Sequence, residues 1–314
     1  MASHRQRLEV RLTIAQYARQ AALVVKVIPL IEKEDAFALK GGTAINLFEL
    51  DMPRLSVDID LTFTRITDRE TAITEINAAL ERISNDMTRH GFPNRLSGSN
   101  VSRKIICATQ DSSIKIEPNF ILRGTVFEVR KLSASPRTQA LFGQAKINVL
   151  SRAELYGGKF CAALDRQHPR DLFDVAQFYK TSTITDEIKS GFLALALGHN
   201  RPLHELLNPT LQDHEDIFNQ QFAGMSDTPF SYQEHKDTFV RLHEELLGAL
   251  TSDDKQNLLD FVSLQGQPED FGIPHLAELP AIIWKRKNLE TLRTSNPAKF
   301  AEQRKLLDAL LAKS

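Results

Sequence analysis

Between Val57 and Phe63, apolar and polar side chains alternate without interruption. Val57, Ile59, Leu61 and Phe63 fall on one side, and Asp58, Asp60 and Thr62 on the other. Only a β-strand puts every second residue on a common face, so this stretch reads as a strand with one face in a core. Aspartate is depleted in strands, yet Asp58 and Asp60 share the polar face, with Cα atoms ~6.7 Å apart at the strand rise. Two anions so placed repel unless a cation lies between them. Their hard oxygens suit Mg²⁺ held jointly with substrate phosphates. A solvated edge strand that carries two aspartates is the plainer alternative.

The segment upstream narrows the choice. Phe37-Ala38-Leu39 leads into Lys40-Gly41-Gly42-Thr43, and Ala44, Ile45, Leu47 and Phe48 resume a helical pattern. Strand, glycine turn and helix in that order let a backbone approach an anion. A helix N-terminus then offers free N–H groups and a partial positive charge to phosphate. Arg54 and Ser56 stand just before the aspartates, Ser56 alternating onto their face. Gly41, Gly42, Thr43, Arg54 and Ser56 thus outline a nucleotide-binding turn facing a metal-binding pair, Asp58 and Asp60.

The first half continues as a mixed sheet with flanking helices. The apolar segment Ala22–Ile31 extends an N-terminal helix in which Arg5, Arg7, Arg11 and Arg19 form a basic face, either solvated or turned to nucleic acid. Thr71–His90 has helical spacing, a polar turn falls at Ser97–Asn100, and strands are expected over Arg103–Ala108, Ser113–Phe120 and Val126–Val129. Near residue 150 the pattern changes. Ser151-Arg152-Ala153-Glu154 has capping-box spacing and opens a helix to Arg166. Pro169 starts the next, to about Lys180. Leu193–Leu207, His235–Leu250, Asp253–Leu264, Leu279–Leu292 and Pro297–Ala312 also read as helices. The expected organisation is a mixed-sheet domain over residues 1–150 and a helical domain over 151–314. The fold class is α+β.

Composition removes several classes. Thirty-nine Lys and Arg against 40 Asp and Glu leave a net charge of −1, which excludes a polycation that coats nucleic acid but not a local basic groove. Two cysteines, Cys107 and Cys161, cannot build a disulfide framework. No apolar run reaches the ~20 residues of a membrane helix, and the charged N-terminus lacks a signal-peptide core. The expectation is a cytoplasmic protein with no membrane partner. Zinc spacings and a GxSxG elbow are absent. Lys285-Arg286-Lys287 beside Trp284 reads as a solvated helix face with Trp284 anchored in the core, or as an RNA contact.

Taken together, Gly-Gly-Thr at 41–43, Arg54-Leu55-Ser56-Val57-Asp58 and Asp58-Ile59-Asp60-Leu61 resemble the first motif of the DNA polymerase β nucleotidyltransferase superfamily. Lys159 and then Arg170-Asp171-Leu172-Phe173-Asp174 supply the later motif, and the whole is similar to the AbiEii/AbiGii (MenT-like) toxin family. The resemblance spans roughly residues 35–180, and the stretch from Thr43 to Asp58 is a couple of residues longer than the family pattern. It implies a polymerase β-like core and a Mg²⁺-dependent nucleotidyltransferase toxin of a toxin–antitoxin or phage-defence system. The nucleoside triphosphate would supply a nucleotide to an acceptor hydroxyl, first of all a tRNA or other RNA 3′ end, and an antitoxin protein would be the partner.

Lys159 and Asp174 would join the catalytic set, with Lys159 steadying the triphosphate. The third carboxylate expected of the superfamily falls on Glu117, in the alternating stretch Ser113–Pro118. The residues themselves also allow a surface lysine at 159, an i,i+4 pair of Arg170 with Asp174, and a close helix contact at Gly157-Gly158. A small-molecule nucleotidyltransferase and a non-catalytic nucleotide-binding module stay open as functions.

Overall fold

The structure is a computed structural model that describes residues 4–222 and 225–313, with 4–13 described in their backbone alone. The expected basic face at Arg5, Arg7 and Arg11 therefore lies outside the described side chains. The chain folds as two units. The first comprises Met1–Gly124, Val129–Leu150 and Glu215–Phe230, and the second Thr125–Glu128, Ser151–His214 and Ser231–Ser314.

The first unit is built on a seven-stranded sheet. Its strands are β1 (Phe37–Lys40), β2 (Ile59–Phe63), β3 (Asn94–Ser97), β4 (Lys104–Ala108), β5 (Ser113–Asn119), β6 (Arg130–Ser133) and β7 (Lys146–Val149). Their order across the sheet is β3-β4-β5-β2-β1-β7-β6. The sheet is mixed, because β2 runs parallel to β5 and β1 parallel to β7 while the other neighbours are antiparallel. Period-two apolar positions set its buried face: Phe37, Leu39, Ile59, Leu61, Phe63, Ile105 and Ile116 are all buried. Phe37 and Phe63 meet edge to face at 6.3 Å.

Helix α1 (His4–Ile31) packs on β5, β7 and α3 (Arg69–Arg89). Asp68 caps α3 by accepting from the Glu70 and Thr71 amides. The 18-residue window Ile14–Ile31 of α1 is long and apolar enough, by length and composition, to cross a membrane. Nearly half of it is buried in the fold, where Val24, Val25, Ile28 and Ile31 enter the core.

Two expected strands shift. The Val57–Phe63 strand begins only at Ile59. No strand forms over Val126–Val129, where the Val126 amide instead donates to Glu154 at 3.0 Å. Pairing resumes at β6, joined to β7 through α4 (Pro136–Phe142). Glu215–Phe230, which falls within the expected helical domain, belongs to the first unit. It holds α9 (Glu215–Gln221) and a ring cluster of Phe218, Phe222 and Phe230. Its end lies along the 53–55 loop, with Leu55 N donating to the Met225 carbonyl at 2.8 Å and Ser226 Oγ to the Pro53 carbonyl at 2.8 Å.

The second unit is helical: α5 (Arg152–Arg166), α6 (Pro169–Thr181), α7 (Asp186–Leu197), α8 (Leu203–Leu206), α10 (Tyr232–Gly248), α11 (Ser252–Val262), α12 (Pro280–Ser295) and α13 (Pro297–Leu311). The expected helix Leu193–Leu207 breaks after Leu197. Leucines keep their spacing there, but Gly198 and Pro202 open a loop before α8. Ser151 caps α5 by accepting from Glu154 N at 3.1 Å. The Glu154 carboxylate accepts from Ser151 Oγ and, instead of the cap amide, from Val126 N. The glycine pair inside α5 proves to be a packing device. A Cβ on Gly157 would stand 2.4 Å from the Gly191 backbone of α7, whereas one on Gly158 would meet only Leu195 at 3.3 Å.

Candidate active site

In the first unit the glycine turn and the acidic strand meet. Lys40 ends β1 in extended conformation, and α2 (Gly41–Ala44) starts at once with no side chain capping it. The helix then widens into a π-type turn over Ile45–Glu49, a feature common at functional sites. Gly41 has φ +69, and a Cβ there would stand 2.8 Å from Asp60 Oδ2. The Asp60 carboxylate therefore lies directly against the bend. A Cβ on Gly42 would stand 2.6 Å from Arg54 Nη2 and 3.2 Å from Ser56 Oγ. The second glycine thus makes room for a buried guanidinium and hydroxyl.

The Thr43 hydroxyl hydrogen-bonds Ser56 Oγ at 2.9 Å and the Asp58 carbonyl. Asn46 Nδ2 donates to the Gly42 carbonyl at 2.9 Å. Asp58 thus lies one residue ahead of β2, and its backbone is tied to the turn rather than to the sheet ladder. This corrects the expectation that both aspartates stand on one strand.

Strand register adds what local spacing could not. Lys40 pairs with Asp60 across β1 and β2, and Asp60 pairs with Glu117 across β2 and β5. Register partners share a face of a sheet, so Lys40, Asp60 and Glu117 form a row. Lys104 of β4 extends it, its Nζ donating to Glu117 Oε1 at 2.8 Å. Burial lowers the Lys40 pKa, and the Asp60 carboxylate opposes that shift. Local sequence marks Lys40 only as the start of the glycine turn and gives Lys104 no distinguishing signal. Among the described residues no group of three or more His, Cys, Asp or Glu side chains is arranged to hold a metal by itself.

The second unit holds a separate charge cluster. Lys159 is 6% exposed, with Nζ 2.7 Å from Asp171 Oδ1 and 3.0 Å from Asp174 Oδ2. Arg166 grips Asp171 through Nε at 2.6 Å and Nη2 at 3.1 Å. Burial alone would raise the Asp171 carboxyl, but Lys159 and Arg166 outweigh it and hold the group well below the usual carboxylate range. Lys159 is therefore no surface lysine. Asp171 is the centre of the cluster, and Asp174 turns to Lys159. The hydrogen bonds of α6 explain the placement: His168 caps it and Pro169 occupies its first turn, which sets Asp171 and Asp174 one turn apart on one face.

The 285–287 triplet does not form a basic patch. Lys285 Nζ is buried and donates to the His199 and Arg201 carbonyls, and Arg286 donates to the Gly266 carbonyl. Trp284, expected as a core anchor, is 57% exposed.

No curated protein sequence matches the chain. Among solved structures, the MenT4 nucleotidyltransferase toxin of Mycobacterium tuberculosis H37Rv aligns with a TM-score of 0.57 at 17% identity. The alignment covers 77% of this chain and 87% of that one, and it shows a common fold. The pattern of the family described as "Nucleotidyl transferase AbiEii toxin, Type IV TA system" matches residues 22–256. The chain belongs to the AbiEii family of nucleotidyltransferase toxins of type IV toxin–antitoxin systems.

Proposed function

We propose that the Gly41–Thr43 turn binds a nucleoside triphosphate and that Asp58 and Asp60 hold Mg²⁺ with its phosphates. The observation that carries this reading is the Asp60 carboxylate lying against Gly41, its Oδ2 2.8 Å from where a Cβ would stand. A bend with left-handed backbone, uncapped helix amides and an acidic oxygen at contact distance brings phosphate and metal ligand together. Two carboxylates with no preformed third ligand suit Mg²⁺, which keeps waters and shares substrate phosphates. When bound, the ion would offset charge building on the α-phosphate and the departing pyrophosphate.

The protein's own groups do the rest. Arg54, buried against Gly42, faces the triphosphate as a fixed cation. Ser56 and Thr43 lock the turn to the acidic segment, so that positioning precedes chemistry. In the transfer, the acceptor hydroxyl oxygen forms a bond to the α-phosphorus, the bond to pyrophosphate breaks, and the hydroxyl proton passes to a carboxylate. Glu117, next to Asp60 and steadied by Lys104, is the first choice for that proton. Lys159 and Asp174 enter on the family resemblance, Lys159 for the triphosphate and Asp174 as an alternative proton acceptor. An RNA 3′ end, tRNA foremost, is the acceptor, a cognate antitoxin protein is the partner, and the cytoplasm is the compartment.

The test incubates the protein with each α-³²P-labelled nucleoside triphosphate, Mg²⁺ and total tRNA. Label should move to RNA with wild type and be lost with Asp60→Ala or on chelation of Mg²⁺. Equal labelling by wild type and Asp60→Ala would remove Asp60 from the site, and an unchanged rate in Lys159→Ala would do the same for Lys159.

A further inference from the structure

A cleft of about 150 Å³ in the second unit, between the loop after α7 and helices α12 and α13, has no part in the chemistry above. Its polar lining is His199, Asn200, Lys285, Asn288 and Gln303, beside Trp284 and the apolar side chains of α12. It is far smaller than the ~300–1,000 Å³ of a pocket for drug-sized molecules and suits one flat ring system.

Gln303 is only 8% exposed, and among the described residues its amide makes no hydrogen bond although it borders the cleft. The amide therefore meets the cleft's water, and an occupant that displaces that water must pair with it. The Lys285 ammonium holds both the His199 and Arg201 carbonyls, at 2.8 and 2.7 Å, which fixes the loop that carries Asn200. Trp284 offers an open indole, with Lys287 Nζ 5.9 Å from its ring centroid.

Amides both donate and accept, as the edges of bases do. An exposed aromatic face stacks any base, and a cation beside it suits the adjoining phosphate. An apolar protein knob would strip water from the Asn200, Asn288 and Gln303 amides without replacing its hydrogen bonds, so the lining favours a base. We propose that this cleft holds one unpaired nucleobase of an RNA strand, stacked on Trp284 and read at its edge by Asn200, Asn288 and Gln303, with Lys287 at the neighbouring phosphate. This deepens the RNA-acceptor reading above and rests on it.

Trp284 is the single tryptophan of the chain, so indole fluorescence reports this cleft alone. The full chain, without nucleoside triphosphate, is titrated with hexaribonucleotides of each base and with the four nucleoside monophosphates. Anisotropy of a fluorescein-labelled hexamer gives the affinity of variants. Hexamers should quench the indole saturably. Trp284→Ala should weaken binding about fivefold to a hundredfold with an unchanged melting temperature, Trp284→Phe should retain most of it, and Gln303→Leu should weaken it.

Label transfer onto RNA is measured on the same variants. RNA binding and transfer that Trp284→Ala and Gln303→Leu leave unchanged would overturn the cleft while leaving the acceptor reading intact. Equal quenching by monophosphates would overturn the strand in favour of free nucleotide. Absence of quenching with every hexamer would overturn the proposal and leave the exposed face to a protein partner.

Discussion

Replacing Gly41 by alanine separates the cost of an awkward backbone from the cost of a displaced carboxylate. At φ +69 an L-residue incurs the left-handed penalty of ~1–2 kcal/mol. The new Cβ would also stand 2.8 Å from Asp60 Oδ2, where ordinary contact begins near 3.4 Å, so the carboxylate must retreat by about 0.6 Å (3.4 minus 2.8). A misplacement of ~1 Å at a reacting centre costs on the order of a hundredfold in rate, so a loss of about ten- to a hundredfold in kcat/KM is expected. The Mg²⁺ concentration for half-maximal rate should rise, because the displaced group is the proposed metal ligand. Gly91→Ala is the control: φ is +77 there, and a Cβ would meet nothing within 4 Å. Both variants should lose similar stability in urea unfolding, and only Gly41→Ala should lose transfer of α-³²P label. If the two variants were equally active, Asp60 would not need the bend, and the proposed site would fail.

Lys159→Met would leave Asp171 and Asp174 buried without their ammonium, and removing one partner of a buried ion group typically costs ~3–5 kcal/mol. Urea unfolding that shifts by under about 1 kcal/mol would show the cluster to be better hydrated than its geometry implies. Lys285 has its pKa lowered by burial from 10.5 to about 8. Between those values the unfolded chain binds a proton that the folded chain does not, so wild-type stability relative to Lys285→Met should rise with pH. The rise approaches about 3 kcal/mol, and a difference constant from pH 7.5 to 10 would refute it. Gly157→Ala drives a methyl into the α7 backbone and should destabilise by at least ~1–3 kcal/mol, whereas Gly158→Ala should be near neutral or stabilising by thermal melting.

Elements set by their own residues were readable in advance. The β1–turn–α2 order, α3, and the openings of α5 and α6 follow from alternation, helical spacing and capping groups, all local signals. Misreadings arose where a distant partner took over a backbone group. Val126 looks like the start of a strand, but its amide is claimed by Glu154, so pairing waits until Arg130. Val57 and Asp58 alternate as a strand should, yet Thr43 holds the Asp58 carbonyl and the ladder begins one residue later. The leucines from 193 to 207 keep helical spacing through a loop that Gly198 and Pro202 impose. Trp284 was placed in the core on hydrophobicity alone, although its neighbour Lys285 is the side chain that is buried.

The acidic pair and glycine bend were visible in the sequence because each is a short motif. The charges that make them tolerable were not. Asp60 and Glu117 stand beside each other on adjacent strands, an arrangement that like charges destabilise. Lys40 flanks the pair from β1 and Lys104 from β4, so the row reads cation, anion, anion, cation across four strands. Such a row carries no net charge, so the fold does not require a bound ion to keep its two acids side by side. It follows that Asp58, Asp60 and the incoming phosphates would draw Mg²⁺ together, rather than the sheet storing it. That balance depends on which residues oppose one another across the strands, and no window along the chain contains it.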